Sequence, residues 1–226
     1  LPLDAGGGEG SWTIMREDRI SNMCIFLMTE DLDGGPIIDN ELSIYPKSCI
    51  TPLDIRKYST KRMIKFYETF LKKLLKKNEF ELKPQIKYIS RYNPRLNTEI
   101  NGFIDWSLNS YDLINFINAF DEPYKGASTF LNNGNFGRLY IKKAQLHGGD
   151  TPNHPFMTGI VSRHDKKWIV VCTSSKHMLL IEDIITENGE NIISKIKVGD
   201  RFYTPVEKLV SGKSKRVYYN SFGLKK

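Results

Sequence analysis

The hydrophobic positions of this chain fall into two regimes. Before about residue 80 they form blocks and one long stripe. After about residue 125 they form short runs broken by turn pairs. In the first regime, Asn22 to Thr29 is apolar without alternation, which predicts a strand buried on both faces. Ile37 to Ile44 alternates in part and predicts a second strand. Thr51-Pro52 supplies an N-cap and a proline at the first helical position, so a helix is expected from there to about Asn78. Its apolar stripe is Phe66, Phe70 and Leu74, with Met63, Tyr67 and Leu71 alongside. Lys72, Lys73, Lys76 and Lys77 flank that stripe and read as a solvated face near the helix C-terminus.

Residues 79–103, with Pro84, Pro94 and several Asn, predict a linker. Ser110 to Phe120 predicts a helix with Ser110 as N-cap and Leu113, Phe116, Ile117 and Phe120 inward. The second regime follows. Asn133-Gly134 and Asn188-Gly189 mark turns. Trp168 to Cys172, Met178 to Ile185, Ile192 to Val198 and Phe202-Tyr203 read as strands, a spacing that implies a small β-barrel. The expected fold class is therefore α/β plus β. The expected divisions are residues 1–90, 91–210 and a basic tail at 211–226.

Composition narrows the function classes. The chain has 226 residues, 40% of them hydrophobic and 12% aromatic, enough for a real core in one large or two small domains. No apolar run reaches transmembrane length, and Leu1 to Gly8 lacks the basic and apolar regions of a signal peptide, so neither a membrane partner nor secretion is expected. Cys24, Cys49 and Cys172 are odd in number and far apart, which fits a reducing cytoplasm rather than a disulfide framework. The four histidines, all after residue 146, show no metal-ligand spacing, so no metal site is expected. The net charge of +7 invites a nucleic-acid partner, but Lys213, Lys215, Arg216, Lys225 and Lys226 cluster at the end, where no acid follows. Tyr218 and Tyr219 lie among them and could stack bases.

The candidate chemistry sits on Asp31-Leu32-Asp33-Gly34-Gly35-Pro36. A carboxylate on a glycine-bent turn after a buried strand can reach a ligand beyond the strand ends. The run Gly6 to Gly10 lacks the Lys-Ser/Thr of a P-loop and reads as a loop. Ile104-Asp105-Trp106-Ser107 reads as a structural anchor, with a Trp to bury.

Five segments, in order, resemble the folate-dependent N-formyltransferases, a family that includes methionyl-tRNA formyltransferase and the formyltransferases of nucleotide-linked amino sugars. They are Leu1-Pro2 with Gly6 to Met15, Asp31 to Ile37, Gly102 to Ser107, Ala119 to Ala127 with Pro123-Tyr124-Lys125-Gly126-Ala127, and Gly199 to Phe202 with Thr204-Pro205. The resemblance implies the C-terminal part of a Rossmann-like formyltransferase domain followed by a small OB-like barrel. It implies transfer of a formyl group from 10-formyltetrahydrofolate to a primary amine, on a nucleotide-linked amino sugar or on methionyl initiator tRNA. Asp33 is then the catalytic carboxylate, and Leu32, Gly34 and Gly35 line the folate pocket. In that family an Asn-x-His motif precedes the Leu-Pro pair, so a further three βα units, about 90–100 residues, are expected before Leu1, and the chain alone is expected to be inactive. The rival reading is a noncatalytic RNA-binding module using the barrel and tail.

Overall fold

The computed structural model describes residues 4–30, 33–76, 79–86, 91–149, 151–220 and 223–224. Strand β1 (Asp4–Gly6) leads into helix α1 (Glu9–Met15). Strands β2 (Ile20–Phe26) and β3 (Ile37–Ile44) form an antiparallel pair, from Ile20 opposite Ile44 to Phe26 opposite Ile37. Helix α2 (Pro52–Leu74) starts as expected. Asp54 N–H donates to Thr51 Oγ1 at 3.2 Å and Thr51 N–H donates to the Asp54 carboxylate at 3.0 Å, which satisfies amide donors at the helix start reciprocally.

Two expectations for this half are corrected. β2 is not buried on both faces, since Ile20 is 66% exposed and Met28, just beyond the strand, is 94% exposed. The missing alternation reflects apolar side chains on an uncovered face. Of the α2 stripe only Phe66 is buried among the described residues, while Met63, Tyr67, Leu71 and Leu74 are exposed.

The presumed linker carries structure. Lys83 and Ile37 exchange backbone hydrogen bonds of 2.8 and 2.9 Å. Strand β4 (Arg91–Asn93) pairs in parallel with β1, and α3 (Thr98–Asn101) follows. Asp4 locks the β1–β4 pair. It accepts from Arg91 Nε at 2.8 Å and Asn93 Nδ2 at 3.0 Å, and faces Arg16 at 3.2 Å.

Helix α4 (Ser110–Ala119) buries Leu113, Ile117 and Phe120, with Phe116 half-buried. Its N-cap is Asn109 rather than Ser110: Asn109 Oδ1 accepts from the amides of Tyr111 and Asp112 at 3.0 Å. Ser110 is buried, and Ser175 Oγ donates to its hydroxyl at 2.7 Å.

The remaining strands are β5 (Ala127–Leu131), β6 (Leu139–His147), β7 (Val161–His164), β8 (Ile169–Val171), β9 (Met178–Thr186) and β10 (Phe202–Tyr203). They form one antiparallel sheet in the order β10-β5-β6-β9-β8-β7. The sheet curls until its edges meet. Val161 N–H donates to Asp200 O at 2.8 Å, Phe202 N–H to Gly159 O at 2.9 Å, and Ile160 bridges Arg201. Leu139, Ile141, Ile169, Leu179, Ile181 and Ile184 are fully buried in the core. Residues 192–198 are not a strand as expected: Ile193–Lys195 is a single 3-10 turn with Ile192, Ile193 and Ile196 buried. Helix α5 (Val206–Ser214) then crosses back to α3.

Candidate active site

Asp33 sits where the β2–β3 connection is most constrained. Its φ of 56° lies in the left-handed region, which costs a residue bearing a Cβ and persists only where neighbours hold it. Three contacts do so. Leu27 N–H donates to Pro36 O at 3.0 Å and closes the base of the loop. The Gln85 side-chain amide donates to Asp33 O at 2.9 Å and to Gly35 O at 2.6 Å. Gly35 lets two backbone segments approach closely, since a Cβ there would lie 1.7 Å from Leu27 O. The Asp33 carboxylate has no hydrogen-bond or ion-pair partner among the described residues, although its backbone is clamped.

Gly34 and Gly35 share this loop with Asp33, as the sequence implies, while Leu32 lies outside the described residues. Gln85 was missed because a lone polar residue in a presumed linker carries no signal. The Gly6–Gly10 run is not a phosphate cradle at its centre: Gly7 N–H is already engaged with Asn93 O at 3.0 Å. Among the described residues no cluster of histidine, cysteine or carboxylate side chains could hold a metal ion. Burial pushes the Cys24, Cys49 and Cys172 thiols up, which disfavours the thiolate needed for nucleophilic chemistry.

The expected anchor at 104–107 is built as such. Ile104 is fully buried, and Trp106 stacks on Phe202 with ring centroids 5.6 Å apart. Trp106 Nε1 donates to Thr129 Oγ1 at 2.9 Å, and Thr129 Oγ1 donates on to Tyr203 O at 2.9 Å. Trp168, at the start of a strand expected from the sequence, is half-buried at the entry to β8. The tail tyrosines already face the protein's own guanidinium groups, Tyr218 beside Arg216 at 5.1 Å and Tyr219 beside Arg95 at 5.5 Å.

Comparison with known proteins agrees with this architecture. Residues 97–195 match the family model described as the formyl transferase C-terminal domain. A methionyl-tRNA formyltransferase from Pseudothermotoga lettingae is 29% identical over 179 residues, 77% of this chain and 54% of that protein. An N-formyltransferase from Helicobacter canadensis, solved with folinic acid and dTDP-3-aminofucose, superposes with a TM-score of 0.59 at 17% identity, covering 80% of this chain and 62% of that one. HypX from Aquifex aeolicus, solved with tetrahydrofolic acid, gives a TM-score of 0.55 at 16% identity, covering 82% of this chain and 31% of that one. The formyltransferase resemblance read from the sequence is thus borne out, with residues 97–195 similar to the formyl transferase C-terminal domain. The chain spans about half the length of the curated relatives it matches.

Proposed function

We propose that this formyltransferase-related chain works within an enzyme that moves a formyl group from 10-formyltetrahydrofolate to a primary amine, with Asp33 as its catalytic carboxylate. The observation that carries the reading is the state of Asp33: its backbone is fixed by Gln85 and Gly35, yet its carboxylate is unpartnered among the described residues. A carboxylate presented in this way suits an imidazole brought to it by another segment. Asp33 would orient that imidazole and favour its charged form. The Asn-x-His segment would precede Leu1 in the complete protein. The relatives' greater length supports this, as do the exposed apolar side chains of Leu42, Ile44, Ile64 and Leu71. Residues 1–90 then belong to a Rossmann-like catalytic domain and the curled sheet of 91–210 to an OB-like one.

The acceptor nitrogen attacks the formyl carbon and its carbonyl oxygen becomes an oxyanion. Histidine and asparagine donors stabilise that oxyanion. Collapse breaks the bond from carbon to N10 of the folate, N10 takes a proton, and the acceptor nitrogen loses one. Leu32, Gly34 and Gly35 are the folate contacts implied by the resemblance, with Gly35 also packed against Leu27 O. We favour an amino sugar attached to a nucleotide over methionyl initiator tRNA, because the charge excess is concentrated in the tail rather than spread along a groove. Three scattered cysteines, odd in number and without disulfide spacing, support a reducing cytoplasm, and among the described residues no helix is long and apolar enough to cross a membrane.

The test is Asp33→Asn in the complete protein. Loss of this group is expected to lower turnover by about 10²–10⁴-fold, the range for removing acid–base help, with the fold retained. Unchanged turnover would overturn the assignment. RNA affinity that falls steeply with salt, with no formyl transfer, would favour the binding-module reading.

A further inference from the structure

We propose that the cleft at the C-terminal end of α1, closed by the β3–α2 connection and by α4, binds a free α-amino acid with an apolar side chain. It encloses about 440 Å³, within the ~300–1,000 Å³ usual for small-molecule sites. Ile14, Tyr45 and Ile55 are buried and form its apolar floor, with Ile50 at the rim. Its charged lining is Glu17 and Asp18 against Arg19 and Lys47, so the cleft is neutral as a whole. An apolar floor under charges of both signs complements a zwitterion with an apolar body, rather than an anion or a cation alone.

The two poles are held on different walls. Glu17 follows the end of α1, and Asn115 of α4 donates to its carboxylate at 3.0 Å, leaving the other oxygen without a partner among the described residues. The Arg19 guanidinium donates to Tyr45 O just past β3, and Lys47, in the same connection, has no partner among the described residues. Lys47 and the remaining Arg19 donors suit a carboxylate, while Glu17 and the negative end of α1 suit an ammonium. The backbone supports a role for Glu17. Its N–H donates to Ile14 O and Asp18 N–H donates to Thr13 O, both at 3.0 Å, a helix end whose left-handed residue is usually glycine. Here a glutamate takes φ of 53°, which costs a residue bearing a Cβ. The side chain kept at that cost is the one that lines the cleft. Thr13, only 6% exposed, and Asn118 line it too, and neither side chain has a hydrogen-bond partner among the described residues. The cleft lies at the other end of α1 from Gly8 and shares no lining residue with the Asp33 loop, so it is a second site. An amino acid bound there would touch α1, the β3–α2 connection and α4 together.

The inference does not depend on formyl transfer or on the acceptor, and binding alone tests it. The complete protein is titrated calorimetrically with leucine, with isopentylamine and with isocaproate. The last two keep the apolar body and one charge each. Leucine is expected to bind with a Kd below about 1 mM. Each half-ligand should bind at least about tenfold more weakly, because it forfeits a charge-assisted contact. Lys47→Ala changes an exposed, unpartnered side chain and should weaken leucine at least about fivefold. Glu17→Gly suits the left-handed backbone, so it should keep or raise the melting temperature and still weaken leucine at least about tenfold. Three results would overturn the proposal. They are no leucine binding at about 10 mM, a half-ligand that binds as tightly as leucine, and a leucine affinity unchanged by both variants.

Discussion

The side-chain amide of Gln85 holds the carbonyl oxygen of Asp33 at 2.9 Å, across 52 positions of sequence. With a second bond to Gly35 O at 2.6 Å, one side chain fixes both ends of the turn that presents the candidate carboxylate. Gln85→Ala should cost about 1–2 kcal/mol, from two hydrogen bonds of about 0.5–1.5 kcal/mol each, read by urea denaturation. Gln85→Glu should be worse, because a carboxylate cannot donate and would face two carbonyl oxygens. In the complete enzyme both variants should lower kcat more than they raise KM. A glutamate variant as stable and active as the parent would show that the clamp is incidental.

Gly35 tests the same loop from its other side. Gly35→Ala places a methyl group 1.7 Å from Leu27 O, so backbone must move. The expected loss is about 2 kcal/mol or more, the scale of overpacking, measured as a fall in the denaturation midpoint. An unchanged midpoint would mean that Leu27 and Gly35 are not packed as described.

The limits of sequence reading are visible in particular elements. Thr51-Pro52 announced α2 because capping is local chemistry, and Asn133-Gly134 announced the β5–β6 connection because positive φ at Gly134 is a local demand. β2 and the α2 stripe were misjudged because an apolar pattern shows what could be buried, not what covers it. Residues 192–198 were misread as strand because the apolar run there is buried by a single turn, through Ile192, Ile193 and Ile196. In the site, Asp33 and its glycines were legible as a turn, whereas Gln85 depends on contacts distant in sequence. The charge of the tail was legible too, but not that α5 folds its start back onto α3.

Acid should loosen the molecule at two places. Burial pushes the Asp4 carboxyl up, but hydrogen bonds from Arg91 and Asn93 and the charge of Arg16 outweigh it and leave it below its ordinary value. Burial likewise acts on Asp105, and bonds from Ser107 and Lys213 again bring it down. A depressed carboxyl adds stability that is present above the unfolded-state pKa, about 3.9 for Asp, and is lost as pH falls through the folded-state value. The melting temperature should therefore fall from about pH 4 downwards, and Asp4→Asn should flatten that fall. An Asp4→Asn profile parallel to the parent's would remove the β1–β4 lock from the explanation.

Trp106 joins the anchor segment to the curled sheet. Trp106→Phe keeps a ring against Phe202 but removes the donor to Thr129, and should cost about 1–3 kcal/mol, the penalty for leaving a buried polar group short of a partner. Trp106→Ala should cost about 3–5 kcal/mol through the cavity it leaves. Equal costs for the two, by chemical denaturation, would mean that packing alone matters and the hydrogen bond is idle.

The most direct test of the central claim is tetrahydrofolate release by the complete protein. It would be incubated with 10-formyltetrahydrofolate and either methionyl-tRNA or a panel of nucleotide-linked amino sugars. Release with an amino-sugar acceptor, abolished by Asp33→Ala, is the predicted result. No release with any acceptor, from a folded protein that contains Asn-x-His, or release that survives Asp33→Ala, would contradict it.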